Sequence, residues 1–548
     1  MVPGSVPLRQ PPFKDEAIEP VTLTKGNNGN DVDEADRALR TLGYNPMFKN
    51  NPVFKRKFTK WSAFSFALSI SGIYGTLMTT LIYPLRAGGP ASIIWSWFLG
   101  GAGGLALAIS IAEVSSAYPT SGAMYYTMKY LAPADHVAVL SWITGWLNMV
   151  GTTAGTASTQ YGAAQMLLAA ISIGTSSAYE PTQGHVVGVM AGLTIIHAAI
   201  NSLSTGWLNR LTRLYAGLHL AVLLAACVAL LVLQKDKHSA KYVFTHFEST
   251  SGWSPAGFAF LFGTLSPAWI MTNCDATAHI AEEAVDPSRV VPLAIAAGSL
   301  STYILGFLFN LVLVFCMSDP TKIARASHGQ PVAQIYSDVL GPAPAVFFTV
   351  MGFVVLNFVC IPSIQAGSRT LWSFSRDELV PFSRILYTID TRTDTPLIAV
   401  WTYASLCVLI NLIGLARQVA IGAVFNVCAV ALNLSYVVPI VCKLVYGKFE
   451  RGPWHLGVWS LPVNIWACGW NILMSVIFLL PIELPVTAGN MNYAVAVLVL
   501  VLSFSVIYWF AAGRRFYMGP RTHAHIENGV AVVDEVPPSD EKTPLPAT

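Results

Sequence analysis

The chain has 548 residues, of which 54% are hydrophobic and only 11% are charged, and its mean hydropathy is +0.54. Soluble domains carry about 25% charged residues, so this composition excludes a soluble protein and predicts an integral membrane protein in contact with lipid. The net charge of +3 is small and the charges lie in tails and loops, which excludes a basic surface for nucleic acid.

The predicted elements begin with a polar tail, residues 1–60, which we expect to be cytoplasmic and disordered. Twelve apolar runs follow, and each reaches or nearly reaches the roughly 20 residues that cross a bilayer. They fall at about 62–83, 92–117, 135–172, 185–203, 207–233, 254–284, 290–317, 332–372, 396–415, 417–446, 464–484 and 490–512. The third and eighth runs are long enough to be tilted or to extend into solvent. A second polar tail, 513–548, is also expected to be disordered.

The positions of Lys and Arg near the ends of these runs indicate the orientation. These residues are much more numerous on the side of the N-terminus, for example at 55–60 and 514–515, than on the opposite side. Because positive residues accumulate in cytoplasmic loops, both termini are predicted to be cytoplasmic.

The eight cysteines lie in or beside apolar runs, without a Cys-x-x-Cys motif and without pairs in loops. This distribution is typical of small core residues and does not indicate a disulfide framework or a zinc site. The sequence also shows no nucleophile with a paired base. We therefore expect no metal, no cofactor and no enzymatic activity.

The first run is interrupted near its middle. Ser71, Gly72, Ile73, Tyr74 and Gly75 place two glycines and a serine at the depth where unpaired backbone is most costly. Such irregular backbone persists only where it lines a cavity, and its freed N–H groups can hold a carboxylate. The alternative is that these glycines only allow close helix packing, as Gly100 and Gly101 do in the second run.

The sixth run has a corresponding interruption. It passes through Pro267 into a polar patch, Thr272-Asn273-Cys274-Asp275, and then resumes as "ATAHIAEEA". Paired breaks at matching positions of two five-span halves indicate a transporter built from inverted repeats. This pairing favours a binding site over simple packing, and the repeats would cover about 62–233 and about 254–446, with two extra helices at about 464–512.

Four motifs carry a resemblance to a known family. They are "SGIYGTLMTTLIYPLRAGGP", "AEVSSAYPTSGAMYYTMKYLAP", "DATAHIAEEAVDPSRVVP" and "GSRTLWSFSRDELVP". The chain resembles the amino acid–polyamine–organocation superfamily, and within it the fungal amino acid/choline transporter branch. The resemblance implies an all-α membrane fold of twelve helices, with two inverted five-helix repeats whose helices 1 and 6 are broken and two additional helices within 61–512. It also implies proton-linked uptake through the plasma membrane, and the vacuole is the alternative location.

The candidate substrate site follows from the two breaks and from the resemblance. Its residues are Ser71, Gly72, Ile73, Tyr74, Gly75, Trp269, Thr272, Asn273 and Asp275. By resemblance, the aromatic side chain at Trp269 lies over the substrate. Asp275 would face a substrate ammonium group or exchange a proton, and its alternative role is to cap the second half-helix.

The candidates for proton coupling or gating are Asp275, His219, Glu113 and Glu283. Relatives that work without sodium often place a lysine in span five; this chain has none there, and His219 is the alternative. Asp275, His279 and Glu283 share one helical face at i, i+4 and i+8, and a solvated face or gate is favoured over a metal site. By resemblance, Glu113 holds the Pro-Thr-Ser-Gly turn at 119–122.

The leading hypothesis is a secondary transporter that imports GABA or another small amino acid with a proton. A choline or polyamine permease on the same fold is the nearest alternative, because the substrate could be cationic rather than zwitterionic. A nutrient sensor that binds without transport is the third hypothesis, and uptake of labelled substrate separates it from a carrier.

Overall fold

The computed structural model describes residues 58–520, except 204, 327, 391, 394, 416, 417, 488 and 489, together with two short strands beyond them. The chain divides into two units. The strands, Ala524–Glu527 and Val530–Val533, belong to the smaller unit and pair antiparallel. Residues 1–57 lie outside the described part. The disorder expected for both tails therefore stays a prediction.

The larger unit contains the twelve helical spans and the short helices that connect them. Spans 1 to 6 are Lys60–Ser71 with Ile73–Thr80, Ile82–Ala117, Val137–Gly174, Gln183–Asn201, Thr205–Leu233, and Ala256–Gly263 with Leu265–Ile270 and the 3₁₀ helix Cys274–Glu283. Spans 7 to 12 are Pro287–Cys316, Pro342–Arg376, Leu397–Asn411, Gln418–Tyr446, Ser460–Ile477 and Ala494–Tyr508. The connecting helices are Ala123–Leu131, Ala240–Thr245, Pro320–Ala324, Pro331–Leu340 and Ser383–Leu386, and a π-helical turn, Trp509–Gly513, and Arg514–Phe516 extend span 12.

The long eighth run is predicted as one element, but the structure forms two helices there. It is divided into the connecting helix that ends at Leu340 and span 8, which begins at Pro342. Gly341 lies between them with a φ of 83°, a backbone conformation that favours glycine and ends a helix. Ten residues of the run therefore form a separate helix, and span 8 itself still has 35 residues.

Nine helices among the described residues are long and apolar enough to cross a membrane. Spans 1 and 6 do not qualify because their breaks divide them, and span 3 does not qualify because Gly, Ser and Thr dilute its apolar residues. Span 3 packs against spans 8 and 10 in the interior, so its small side chains meet other helices instead of lipid. Large apolar side chains such as Leu224, Val232 and Leu500 are exposed on peripheral spans, as a lipid-facing surface requires.

The connecting segments form one layer at each end of the bundle. The N–H of Phe58, before span 1, donates to the carbonyl of Glu283, after span 6, at 3.1 Å. The N–H of Leu484, after span 11, donates to the carbonyl of Ser251, before span 6, at 2.8 Å. Because consecutive spans cross in opposite directions, the connections between the twelve spans must fall into two groups, one at each end of the bundle. We call the layer with Phe58 the inner side and the other the outer side, after the predicted orientation.

Candidate substrate site

The break in span 1 is one residue wide. Gly72 adopts a left-handed backbone with φ 49° and ψ 43°, its N–H donates to the carbonyl of Leu68 at 3.1 Å, and the helix resumes at Ile73. A Cβ atom at Gly72 would lie 2.1 Å from Cγ2 of Val359 in span 8. Both the backbone conformation and this contact therefore require glycine.

Three backbone N–H groups are open at this break. By helix geometry, the N–H groups of Ile73, Tyr74 and Gly75 have no acceptor within their own half-helix, and no side chain caps it. All three residues are buried, and the hydroxyl of Tyr74 donates to the carbonyl of Phe348 at 2.9 Å. The positive end of the half-helix thus presents unsatisfied donors inside the bundle, which is an arrangement that suits an anion.

The break in span 6 is longer. The outer part ends at Ile270, Asn273 is left-handed with a φ of 56°, and the 3₁₀ helix begins at Cys274. The hydroxyl of Thr272 donates to the carbonyl of Trp269 at 2.6 Å. Within the described chain, Oδ1 of Asn273 is buried and has no hydrogen-bond partner. This break therefore offers an open acceptor, whereas the break in span 1 offers open donors.

The structure brings the two breaks into one neighbourhood. The hydroxyl oxygens of Thr80 in span 1 and Ser266 in span 6 lie 2.8 Å apart. A Cβ atom at Gly155 of span 3 would lie 2.8 Å from Nδ2 of Asn273, so span 3 passes directly beside the second break. Spans 1, 3 and 6 meet around the predicted site.

Asp275 is buried among three polar groups. The hydroxyl of Tyr436 donates to Oδ1 at 2.5 Å, Nδ2 of Asn148 donates to Oδ2 at 2.9 Å, and Nε2 of His279 lies 3.3 Å from Oδ2. The N-cap of the 3₁₀ helix is Asn273, and Asp275 lies in the first turn, so the interpretation of Asp275 as the cap of this half-helix is wrong. The sequence prediction missed Tyr436 and Asn148, although a polar group inside an apolar run is a signal for a buried hydrogen bond.

A cavity of about 560 Å³ lies on the outer side of the breaks. Its polar and aromatic lining includes Tyr83, Tyr161, Gln165, His328, Phe425 and Asn426. Of the predicted substrate residues, which are all described, none lines it. The ring of Phe425, which lines the cavity, packs on that of Trp269 in span 6 with centroids 4.8 Å apart. No motif marks Phe425, and the sequence prediction missed it.

Comparison with known proteins decides the family. A family model described as amino acid permease matches residues 58–502. The chain belongs to this family. Amino-acid permease 2 of Neurospora crassa is 60% identical over 494 residues, which cover 90% of each chain. An amino-acid permease of Schizosaccharomyces pombe is 49% identical over 90% of this chain and 91% of its own, and amino-acid permease BAT1 of Arabidopsis thaliana is 28% identical over 89% and 96%.

These matches confirm the resemblance to the amino acid–polyamine–organocation superfamily and the all-helical fold of twelve spans that it implies. The chain is therefore a membrane transporter of the amino acid permease family, and the breaks in spans 1 and 6 stand where that fold predicts them.

In this permease, Glu113 connects the inner ends of three segments. Its carboxylate accepts from Nζ of Lys443 in span 10 at 2.5 Å, from Oγ of Ser460 in span 11 at 2.7 Å and from the N–H of Leu456 at 3.1 Å. The expectation that Glu113 holds the turn at 119–122 is therefore wrong. The carboxylate lies among spans 2, 10 and 11 because Lys443, buried in the same place, requires a negative partner.

Glu283 is also buried, contrary to the prediction of a solvated face. Its Oε1 lies 3.6 Å from Nε of Arg369 in span 8, and both side chains are nearly inaccessible. Asp275 and His279 on the same 3₁₀ helix are buried as well, because spans 1, 2, 7 and 8 pack around this helix. A gate built on Glu283 would thus work by breaking a buried ion pair.

His219 of span 5 is buried, and neither ring nitrogen has a hydrogen-bond partner in the described part of the permease. A role in proton coupling stays a prediction for this residue.

Proposed function

We propose that this permease imports a small zwitterionic amino acid, with GABA as the leading candidate, across the plasma membrane together with a proton. Membership of the family establishes an amino acid permease in a membrane. The particular substrate, the proton, the direction and alternating access are the proposal. Both termini would be cytoplasmic, and the vacuole is the alternative membrane.

The open N–H groups of Ile73, Tyr74 and Gly75 carry this proposal. Hydrogen bonds to a charged group contribute about 1.5–3 kcal/mol each, so two or three of them favour a carboxylate strongly over an ester or an amide. The dipole of the half-helix adds to this preference for a negative charge. The substrate carboxylate would therefore lie at the break in span 1, next to Gly72 and Ser71.

The amine of the substrate would lie at the break in span 6. Oδ1 of Asn273 is a buried acceptor without a partner among the described residues, and the irregular backbone at Thr272 adds carbonyl groups. Asp275 lies beside this position, but three polar neighbours already occupy its oxygens. We therefore assign the amine mainly to Asn273, and the proton to Asp275.

Alternating access fits the difference between the two ends of the bundle. The outer side has the cavity, closed toward the breaks by Phe425 and Trp269. On the inner side, buried ion pairs join Glu113 to Lys443 and Glu283 to Arg369. Movement of Phe425 and Trp269 would admit substrate from outside, and separation of the inner pairs would release it.

A cationic substrate such as choline or a polyamine is the second candidate, because aromatic rings face the route to the site. The ring of Phe425 lies 4.8 Å from that of Trp269 and 6.2 Å from that of Tyr83, measured between centroids. Such faces attract a quaternary ammonium group, which would not need the N–H groups of span 1.

The test is a competition panel with purified permease in liposomes under an imposed pH gradient, acid outside. Uptake of labelled GABA is measured against alanine, proline, choline, a polyamine and the methyl ester of GABA. We expect the amino acids to compete and the ester to fail, because the ester has no carboxylate. Competition by choline alone would overturn the substrate assignment, and binding without uptake would indicate a sensor.

A further inference from the structure

His279 connects the centre of the bundle to the inner side through its two ring nitrogens. Its Nδ1 lies 2.7 Å from the carbonyl oxygen of Ser121, and its Nε2 lies 3.3 Å from Oδ2 of Asp275. Ser121 belongs to the irregular turn at 118–122 between span 2 and the helix Ala123–Leu131, and we call this segment the inner turn. All three residues are buried.

The geometry fixes how many protons Asp275 and His279 hold together. A carbonyl oxygen only accepts hydrogen bonds, so the contact with Ser121 requires a proton on Nδ1. If Nε2 carried none and Asp275 were ionised, two acceptors would face each other at 3.3 Å. One further proton must therefore lie between Nε2 and Oδ2, either as an imidazolium with a carboxylate or as a neutral ring with a carboxylic acid. Tyr436 donates to the other oxygen, Oδ1, and Asn148 shares Oδ2 with His279, which a carboxylate oxygen with two lone pairs permits.

We infer that Asp275 and His279 hold the transported proton jointly, and that His279 makes closure of the inner turn depend on that proton. The inference rests on the proposed proton coupling and deepens it. Taking up one proton changes the charge of the pair from −1 to 0. Because a buried uncompensated charge is costly, the closed conformation favours the protonated pair.

Loss of the proton forces a choice between the two contacts of His279. A neutral ring has one N–H but faces two acceptors, the carboxylate of Asp275 and the carbonyl of Ser121. The carboxylate is the stronger acceptor, so the remaining N–H turns to Asp275 and the bond to the inner turn breaks. By reciprocity, a protonated pair stabilises the closed inner side and a deprotonated pair releases it.

Other titratable groups around the pair do not replace this proton. Tyr436 and Cys428 face it from span 10, and Cys274 precedes Asp275 on the same segment. The charged groups on the elements packed around this 3₁₀ helix have opposite partners or lie at the surface. These are Glu113 with Lys443, Glu283 with Arg369, Arg376 with Asp377 and with Lys129 nearby, Asp286 with Arg289, and the exposed Lys60.

The test compares His279→Gln and Asp275→Asn with the matched control His197→Gln. His197 is another buried histidine, in span 4, whose Nε2 lies 2.8 Å from Oδ1 of Asn357 and not beside Asp275 or Ser121. Each protein is reconstituted, and uptake driven by a pH gradient is compared with exchange of labelled for unlabelled GABA without a gradient. Deuterium exchange of the inner turn is followed from about pH 5 to about pH 8.

We expect the wild type and the control to protect the inner turn more at low pH. His279→Gln should expose the turn at all pH values and reduce gradient-driven accumulation about tenfold, while exchange persists. Asp275→Asn places an N–H opposite Nε2 and should protect the turn at all pH values. If His279→Gln does not fold, Asp275→Asn is sufficient to test the inference, because its protection of the inner turn should no longer depend on pH.

Two failures are distinguishable. A wild type that transports GABA without any response to the pH gradient would overturn the proposed proton coupling, and the inference with it. A wild type that is proton-coupled, with variants that keep its accumulation and its pH-dependent protection of the inner turn, would overturn the inference alone.

Discussion

The two breaks, in spans 1 and 6, look alike in sequence but differ in what they leave unsatisfied. At Gly72 one left-handed residue interrupts the helix, and no side chain caps the first N–H groups of the half-helix that follows. At Asn273 the interruption is longer, and the carboxylate of Asp275 beyond it is already surrounded by Tyr436, Asn148 and His279. The first break is ready for a ligand, whereas the second has an internal network.

This difference assigns separate tasks to the two halves of the site. Open donors buried in a membrane protein are costly until a ligand pairs with them, so in the proposed function the break in span 1 selects and binds the substrate carboxylate. A satisfied carboxylate gains little from a ligand, but it responds to the arrival or loss of a proton, because its partners must rearrange. The proposed substrate recognition and the proposed proton coupling would thus lie next to each other without sharing the same atoms.

The largest effect on transport is expected for Gly72→Ala. Alanine at this position would have to adopt a φ of 49°, and its Cβ would lie 2.1 Å from Cγ2 of Val359. The break must therefore deform. We expect GABA uptake to fall about 100-fold or more, equivalent to about 2.7 kcal/mol. Gly192→Ala in span 4 is the control, since its Cβ would meet nothing within 4 Å. Uptake above half of wild type in Gly72→Ala would remove the break from the binding site.

Glu113→Gln should lower the stability of the fold without changing substrate binding. Removal of this carboxylate leaves the buried ammonium of Lys443 unpaired, which lowers the free energy of unfolding by about 3–5 kcal/mol. The KM of any remaining transport should stay unchanged. Thermal unfolding in detergent measures the loss, and the double variant Glu113→Gln, Lys443→Gln should recover most of it. A raised KM with unchanged stability would place Glu113 in the substrate site instead.

Tyr436→Phe tests the network at the second break. The hydroxyl donates to a buried carboxylate, and loss of such a bond lowers the free energy of unfolding by about 1.5–3 kcal/mol. Tyr403→Phe is matched to it, because Tyr403 is equally buried but bonds to the neutral hydroxyl of Thr156. We expect a smaller loss in the free energy of unfolding for Tyr403→Phe. Equal losses in thermal unfolding would argue that Asp275 carries no charge.

Asn273→Gly tests the open acceptor of the second break. Glycine keeps the left-handed backbone and removes the side chain, and Oδ1 has no partner among the described residues to lose. We expect the KM for GABA to rise about tenfold, which corresponds to about 1.4 kcal/mol, with stability unchanged. Asn273→Asp keeps an oxygen in place, and this variant should bind GABA more tightly than Asn273→Gly. Identical KM values for both variants would exclude an amine contact here.

The smallest effect concerns Lys129, a charge near the inner turn but outside both breaks. Burial lowers its pKa from 10.5 to about 8, against an opposing contribution from Asp377. Between these values the unfolded chain binds more protons, so the free energy of unfolding rises with pH. The full difference corresponds to about 3 kcal/mol, which solvent around this partly exposed ammonium group reduces to about 1 kcal/mol. Lys129→Met should flatten the rise in melts between pH 8 and 10. An unchanged slope would assign this pH dependence to other groups.

Particular residues show how far sequence reasoning reaches. Gly72 and the patch at Thr272 were correctly predicted as breaks, because glycine pairs and polar runs at mid-membrane are local signals. Glu283 was predicted to be wet and is buried against Arg369, since its position near the end of a span says nothing about what packs over it. Phe425 carries no signal at all and became visible only as the wall of a cavity.

The sequence by itself determined the membrane class, the twelve spans and the positions of both interruptions. These properties depend on composition and on backbone preferences within a few residues, and both can be read along the chain. Only the tertiary structure decided which buried charges are satisfied and on which side the cavity lies. Tyr436 lies 161 residues from Asp275, and Lys443 lies 330 residues from Glu113. Such partners are chosen by helix packing, because each buried charge needs whichever opposite group the fold brings to it.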